Sequence, residues 1–248
     1  MNHMYDILLR QNTQKTPPIK HQQTLEDSKA KIQEATGLRP TNERLLKGIK
    51  RLTIPPRAKD LLRNMLTGRI KCGDYWNKIP GLTERAHCSF CKKKANIDIL
   101  ESEHHLWLEC PNNGQHLAWG LTRAIWHKTT DRPWPNISLG LIRGVAALSF
   151  DEDLSKDSER LRILVSMMVW TIWKSRNQNS INNQDVSQAE TVESLKEHIR
   201  NLVIKSWNAT RFLEENKKRF KRRALRVLRA HRHFASLDPR SDPTFDFS

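Results

Sequence analysis

Apolar positions recur along most of this chain at three- and four-residue steps, the period of helices, and turn-rich strand patterns are few. Ala58, Leu61, Leu62, Met65, Leu66 and Ile70 form one such stripe, which predicts an amphipathic helix with a core-facing side. A second runs through Leu161, Leu164, Val165, Met168, Val169, Ile172 and Trp173, and Ile163, Met167 and Trp170 broaden it. This segment, Ser158 to about Asn177, is the predicted central buried helix. A third stripe, Val192, Leu195, Ile199, Leu202 and Val203, predicts a long helix opened by a Ser187–Glu190 capping box. Shorter helices fit between these. Thr24 caps one that runs to about Thr36 and stops at Gly37. Pro40-Thr41 opens the next, which ends before Ile54-Pro55-Pro56. Gln115 to His127 carries Trp119 and Trp126, read as core. Leu139-Gly-Leu-Ile-Arg-Gly144 is apolar with glycine punctuation, and lacks the Gly-Lys-Ser/Thr ending of a phosphate loop.

Between the helices the composition changes. Residues 10–23 are polar and proline-bearing and read as a linker. Residues 178–190 are rich in Asn, Gln and Ser and read as an exposed connection. After Leu237 the chain turns to Asp, Pro and Ser, where disorder is expected. No internal repeat is present. The longest apolar run, Leu161 to Trp173, is interrupted by Arg162, Ser166 and Thr171 and is too short to span a bilayer. No signal peptide is evident at Met1 to Asp6.

Charge narrows the choice of partner. The 248 residues hold 43 Lys+Arg against 27 Asp+Glu, a formal charge of +16. Such a balance points to an anionic partner, with nucleic acid as the default, against the plainer reading of a soluble basic protein. The charge concentrates in Lys217 to His233, with nine Lys/Arg in seventeen residues and no acid. Lys217, Lys218, Arg219, Lys221, Arg222, Arg223, Arg226 and Arg229 are the candidate nucleic-acid contacts, with Arg232 beyond them. Phe220, Ala224, Leu225, Val227 and Leu228 lie between, so a helix here buries one side and offers a cationic face.

The chemistry lies in Cys88-Ser-Phe-Cys91, thirteen residues, then His105-Leu-Trp-Leu-Glu-Cys110. Two cysteines two residues apart form the usual zinc half-site, and His105 with Cys110 completes a tetrahedral set. Four protein ligands leave no open position, so the expected site is structural and holds one zinc per chain. The histidine is the open choice. His87, His104, His105 and His116 are all near, and His105 gives the four-residue spacer to Cys110. Cys72 stands alone upstream and reads as a buried or idle thiol. Few cysteines, most in one metal motif, fit a reducing intracellular compartment, nuclear or cytoplasmic. Phe90 and Trp107 either stack on unpaired bases or pack on the ligand cluster. Asp151, Glu152, Asp153 and Asp157 could hold magnesium for phosphodiester cleavage, but acids before a helix also complement its dipole.

The segment Glu101-Ser-Glu-His-His105-Leu-Trp-Leu-Glu-Cys110 after Cys88-x-x-Cys91 resembles the zinc-binding region at the C-terminal end of non-LTR retrotransposon reverse transcriptases. It looks most like fungal relatives in which this region follows a ribonuclease H domain. Ala35-Thr-Gly-Leu-Arg-Pro-Thr41 looks like the entry to the region, and Gly73-Asp-Tyr-Trp-Asn-Lys-Ile-Pro-Gly81 like its G-x-x-W-x-x-I-P stretch. Leu139 to Gly144, and Arg160 to Ser166 with Ile172-Trp-Lys-Ser-Arg176, look like its downstream helices, and Asn216 to Leu225 is similar to its tail. Two departures stand out. The four magnesium-binding carboxylates of a ribonuclease H sheet are not evident, and neither are the paired aspartates of the polymerase. The resemblance therefore implies nucleic-acid association without catalysis by this chain.

The expected fold is mostly α: an irregular zinc-stabilised helical domain, then a helical hairpin and a basic C-terminal helix. Its parts are a linker and short helix (1–40), the zinc-binding domain (41–150) and the central helix (151–178). A long helix with the basic tail (179–235) and a disordered end (236–248) follow. Three functions compete. They are a zinc-stabilised module binding RNA or DNA with low sequence specificity, a metal-dependent nuclease fragment, and a translated transposon remnant without present function.

Overall fold

The structure, a computed structural model, describes residues 19–150 and 156–215. Among the described residues every regular element is helical and no strand occurs, as the periodicity predicts. The first three helices are α1 (Ile19–Thr36), α2 (Asn42–Arg51) and α3 (Pro56–Leu66). The short α4 (Asp74–Asn77) and a 3-10 turn (Thr83–Ala86) lead to α5 (Ser89–Ala95) and a π turn (His105–Glu109). α6 (Gln115–Thr129), α7 (Leu139–Gly144) and a 3-10 turn (Val145–Ala147) precede the long α8 (Lys156–Ser180) and α9 (Gln188–Glu215).

Local chemistry sets these ends. Gly37, at φ +76°, stops α1 in a left-handed conformation that costs glycine little. The Thr41 hydroxyl accepts the Arg44 backbone N–H at 3.1 Å and caps α2. Pro56 sits in the first turn of α3, where its missing N–H is no loss. At α9 the capping box is reciprocal. The Glu190 N–H donates to the Ser187 hydroxyl at 3.1 Å, and the Ser187 N–H donates to the Glu190 carboxylate at 2.6 Å.

α8 is the centre of the molecule. Leu161, Ile163, Leu164, Val165, Met167, Met168, Val169 and Ile172 are all buried, under cover from α3, α6, α7 and α9. The buried Arg162 of this helix is partnered in place. The Arg162 guanidinium donates to the Leu148 carbonyl at 2.7 Å and to Glu159 at 3.2 Å. α1 lies on α7 at close range, because a β-carbon on Gly144 would come within 2.8 Å of Ile32.

Three boundaries differ from the sequence reading. α1 begins at Ile19, so Thr24 is a buried interior residue and residues 19–23 are helical, not linker. Ile19-Lys-His-Gln-Gln23 contains no helix breaker, and the buried Leu25 and Ile32 anchor the helix to the core. α3 ends at Leu66, where Thr67 and the positive-φ Gly68 turn the chain, yet Ile70 remains buried beyond it. Leu139 to Gly144 is a helix, as the resemblance implies, and is capped by Ser138. The 178–190 connection is not simply exposed: α8 runs to Ser180, and Asn179 and Val186 are buried. Among the described residues no helix is long and apolar enough to cross a membrane.

Candidate metal centre

Cys88 enters the site as the N-cap of α5. Its N–H donates to the Ile99 carbonyl at 2.8 Å, and the Glu101 N–H donates to the Ala86 carbonyl at 2.8 Å. This short antiparallel bridge pins both sides of the lysine-rich loop. Cys91 lies on the first turn of α5, and its backbone N–H hydrogen-bonds back to the Cys88 side chain. Asn96 then ends α5 in the left-handed region, at φ 52°.

His105 and Cys110 are five residues apart. In a regular α-helix that separation rotates side chains about 140° from each other. The chain solves this with a π turn, in which the Cys110 N–H reaches the His105 carbonyl at 2.7 Å. The wider turn carries both side chains toward Cys88 and Cys91. The carbonyls it leaves are taken up locally. The Asn113 amide donates to Leu106 O at 2.7 Å, and the Gln115 amide donates to Leu108 O and Cys110 O at 3.3 Å each.

The four predicted ligands are thereby brought together. Cys88, Cys91, His105 and Cys110 are all buried, with their ligand atoms within 4.8 Å of one another. The sulfur of Cys110 is 3.7 Å from those of Cys88 and Cys91, and Cys91 Sγ is 3.6 Å from His105 Nε2. With metal–sulfur bonds of about 2.3 Å and metal–nitrogen bonds of about 2.0–2.1 Å, a regular tetrahedron has S···S edges of about 3.8 Å and S···N edges of about 3.5 Å. The observed separations fit those edges. The donor set therefore suits a divalent, thiolate-preferring ion such as zinc.

The electrostatics call for a cation. Hydrogen bonding to Cys110 and then burial hold the Cys88 thiol well above its ordinary pKa, and burial raises that of Cys91. A dication reverses this by stabilising the thiolates. The Asn112 amide already points a donor at Cys91 Sγ, 3.6 Å away, and the backbone N–H of His105 donates to the Ser102 hydroxyl at 2.9 Å.

The other candidates fall outside the cluster. His104 is half-exposed, 3.0 Å from Glu109, and His87 lies 2.6 Å from Asp98. His116 is exposed. Cys72 is partly buried, and burial followed by the charges of Glu101 and Glu103 pushes its thiol up to about 12. Phe90 and Trp107 are fully buried, so they pack and have no face for a base. Asp157 is engaged by Arg132 at 3.1 Å and Arg160 at 3.3 Å. Asp151, Glu152 and Asp153 lie outside the described residues. So do Lys217, Lys218, Arg219, Lys221, Arg222, Arg223, Arg226 and Arg229.

Contacts that spacing did not reveal tie the centre to the long helices. Lys93 donates to Asn179 O and Oδ1 at 3.2 Å and to Asn183 Oδ1 at 3.0 Å, and Lys94 donates to Val186 O at 2.6 Å. Val186 itself packs on the cysteines. A run of three lysines reads as a solvated face, and only the buried Asn179 and Val186 opposite them hint otherwise. Comparison with family models, with curated proteins and with solved structures found no match.

Proposed function

We propose that this chain is a zinc-stabilised, non-catalytic module that associates with RNA or DNA, of the kind found at the C-terminal end of fungal-type non-LTR retrotransposon and ribonuclease H-containing proteins. The observation that carries it is the closed set of four protein ligands, Cys88, Cys91, His105 and Cys110, at tetrahedral spacing. Such a set organises a fold and leaves no position for a reacting water.

The resemblance to that region gains support from how its separate stretches meet. Gly73 opens one of them, and a β-carbon there would lie 2.4 Å from the Glu101 carbonyl, in the second. Glu101 in turn pairs with Arg176, in the third. Residues quoted for the likeness thus form one contact network around the metal loop. The nuclease reading is the weaker one, because Asp157 is held by two arginines.

The +16 charge supplies the nucleic-acid half of the proposal. Phosphate contacts by the basic tail give affinity that depends on salt and little on sequence. Titration of labelled single- and double-stranded oligonucleotides at several salt concentrations tests it, using the full chain and one ending at Glu215. If roughly half of the nine tail charges reach phosphates, log K falls against log salt with a slope of about −3 to −4. A slope near zero, or equal affinity for both chains, removes the tail as the binding surface.

A further inference from the structure

We propose that the cleft between α3 and α8 is a binding site for an unpaired base of single-stranded nucleic acid together with its flanking phosphates. This rests on the nucleic-acid reading above and assigns it a second, base-contacting surface, apart from the basic tail. The cleft encloses about 310 Å³. That is at the lower end of the range for small-molecule sites, which suits one planar group rather than a large ligand.

Trp170 and Trp173 line one side, and the exposed cations Arg57, Arg69 and Lys71 line the other. Trp173 is fixed in place. It stacks on the buried Trp107 with ring centroids 6.1 Å apart, and the Arg176 guanidinium lies 5.4 Å from its ring. Trp170 is only partly buried and has no ring partner among the described residues. The indole N–H groups set both tryptophans of the cleft apart from four others. Those of Trp76, Trp107, Trp119 and Trp126 each donate to a backbone carbonyl, at 2.8 to 3.2 Å. Trp170 and Trp173 have no such acceptor among the described residues. A partly covered indole with an unused donor fits a ligand that is aromatic and carries acceptors.

Charge selects among such ligands. Arg57 and Arg69 have no acidic partner among the described residues, while the one acid of the cleft, Asp60, is already paired with Arg63. The remaining field is positive, disfavours cationic guests and favours an aromatic guest that carries negative charge. An aromatic ring next to phosphate is the chemistry of a nucleotide. Exposed Asn64, at the cleft wall, can donate to and accept from a base edge. A recess of this kind takes a base only when it is free of a duplex, so the favoured ligand is a single strand.

The test measures binding of the full, metal-replete chain to a labelled oligouridylate, with duplex RNA, inorganic polyphosphate and uridine monophosphate as comparison ligands. Trp170→Ala is expected to weaken the single strand by about 5- to 150-fold, the range for loss of one base–aromatic stack. Affinity for duplex and polyphosphate should be unchanged, and Trp170→Phe should restore most of the loss. Arg57→Ala combined with Arg69→Ala should reduce the salt slope by about 1.4, at roughly 0.7 per single-strand phosphate. Where circular dichroism shows Trp170→Ala unfolded, Trp170→Phe and the arginine pair decide. Single-strand affinity unaffected at Trp170, with an unchanged salt slope in the arginine pair, overturns the cleft alone. A wild-type chain that binds no single strand overturns the nucleic-acid reading as well. Uridine monophosphate binding as tightly as the oligouridylate makes a free nucleotide the ligand and overturns the strand.

Discussion

Arg176, at the end of the central helix, donates through Nε and Nη2 to one oxygen of Glu101, at 2.9 and 2.7 Å, and both side chains are buried. Glu101 stands four residues before His105, so this pair clamps the candidate metal loop to α8. Burial pushes the Glu101 carboxyl up and the nearby guanidinium opposes it. A buried pair of this kind is weak as a source of net stability but severe when half of it is removed. Glu101→Gln or Arg176→Met alone should therefore destabilise the chain by about 3–5 kcal/mol in denaturant unfolding. Changing both to apolar residues of similar volume should cost clearly less than the two single changes added together. Additive losses would show that the two residues act separately.

Gly73 makes a related prediction. It has φ +49°, and a β-carbon there would lie 2.4 Å from the Glu101 carbonyl oxygen, a backbone atom that cannot swing away. Gly73→Ala is expected to lower stability by at least the 1–3 kcal/mol of a strained left-handed residue. Because Glu101 shares the bridge to the Cys88 turn, metal should also leave this variant at lower chelator concentration. Wild-type unfolding and wild-type metal retention would argue against the close approach.

Most of the helices were legible because their causes are local. The stripe from Ala58 to Leu66, the Thr41 cap and the Ser187–Glu190 box each depend on residues within a few positions. The ligand spacing was legible for the same reason. What was not legible lies across long separations. Nothing near Glu101 in the chain says that it meets Arg176, and Lys93 and Lys94 look like solvent-facing charges until Asn179 and Val186 fold over them. The start of α1 was missed because Thr24 offers a credible cap, while the buried contacts of Leu25 and Ile32 belong to the tertiary structure.

The choice between neighbouring histidines is a direct test of the site. His105 is buried in the cluster and His104 is half-exposed beside Glu109. Elemental analysis of metal-replete protein should give one zinc per chain, retained in His104→Ala and lost in His105→Ala. Cys91→Ser should unfold the local segment, since structural zinc in small fingers contributes on the order of 10 kcal/mol at neutral pH. Absence of stoichiometric zinc from the wild type would remove the centre. Asn112→Ala should keep the metal but weaken it by about 10- to 100-fold, because it deletes the donor that steadies Cys91.

Thiol titration separates the cysteines by role. Metal-loaded protein should expose no rapidly reacting thiol. A chelator should release Cys88, Cys91 and Cys110, while Cys72, pushed up to about 12 by burial first, reacts slowly throughout. A fast thiol in the metal-loaded chain, mapped by mass spectrometry to any of the three, would contradict ligation.

The contact between α8 and α9 carries a pH dependence. His198 on α9 has Nδ1 2.8 Å from the Thr171 hydroxyl, and that hydroxyl lies 2.8 Å from the Met167 carbonyl. Burial first, then the charge of Lys174, lower the His198 pKa from 6.5 to about 4, with Glu197 opposing. The folded chain therefore prefers the neutral ring, while the unfolded chain takes up a proton near the ordinary value. Stability from this site is fully present above pH about 6.5 and is lost as the pH falls toward 4. With its partial exposure discounted, the loss is on the order of 2 kcal/mol. His198→Gln should be less sensitive to pH across that window. Metal release in acid acts on both proteins alike, so the difference between their unfolding curves isolates the histidine. Parallel curves from pH 7 to 4 would show that His198 does not titrate differently in the folded chain.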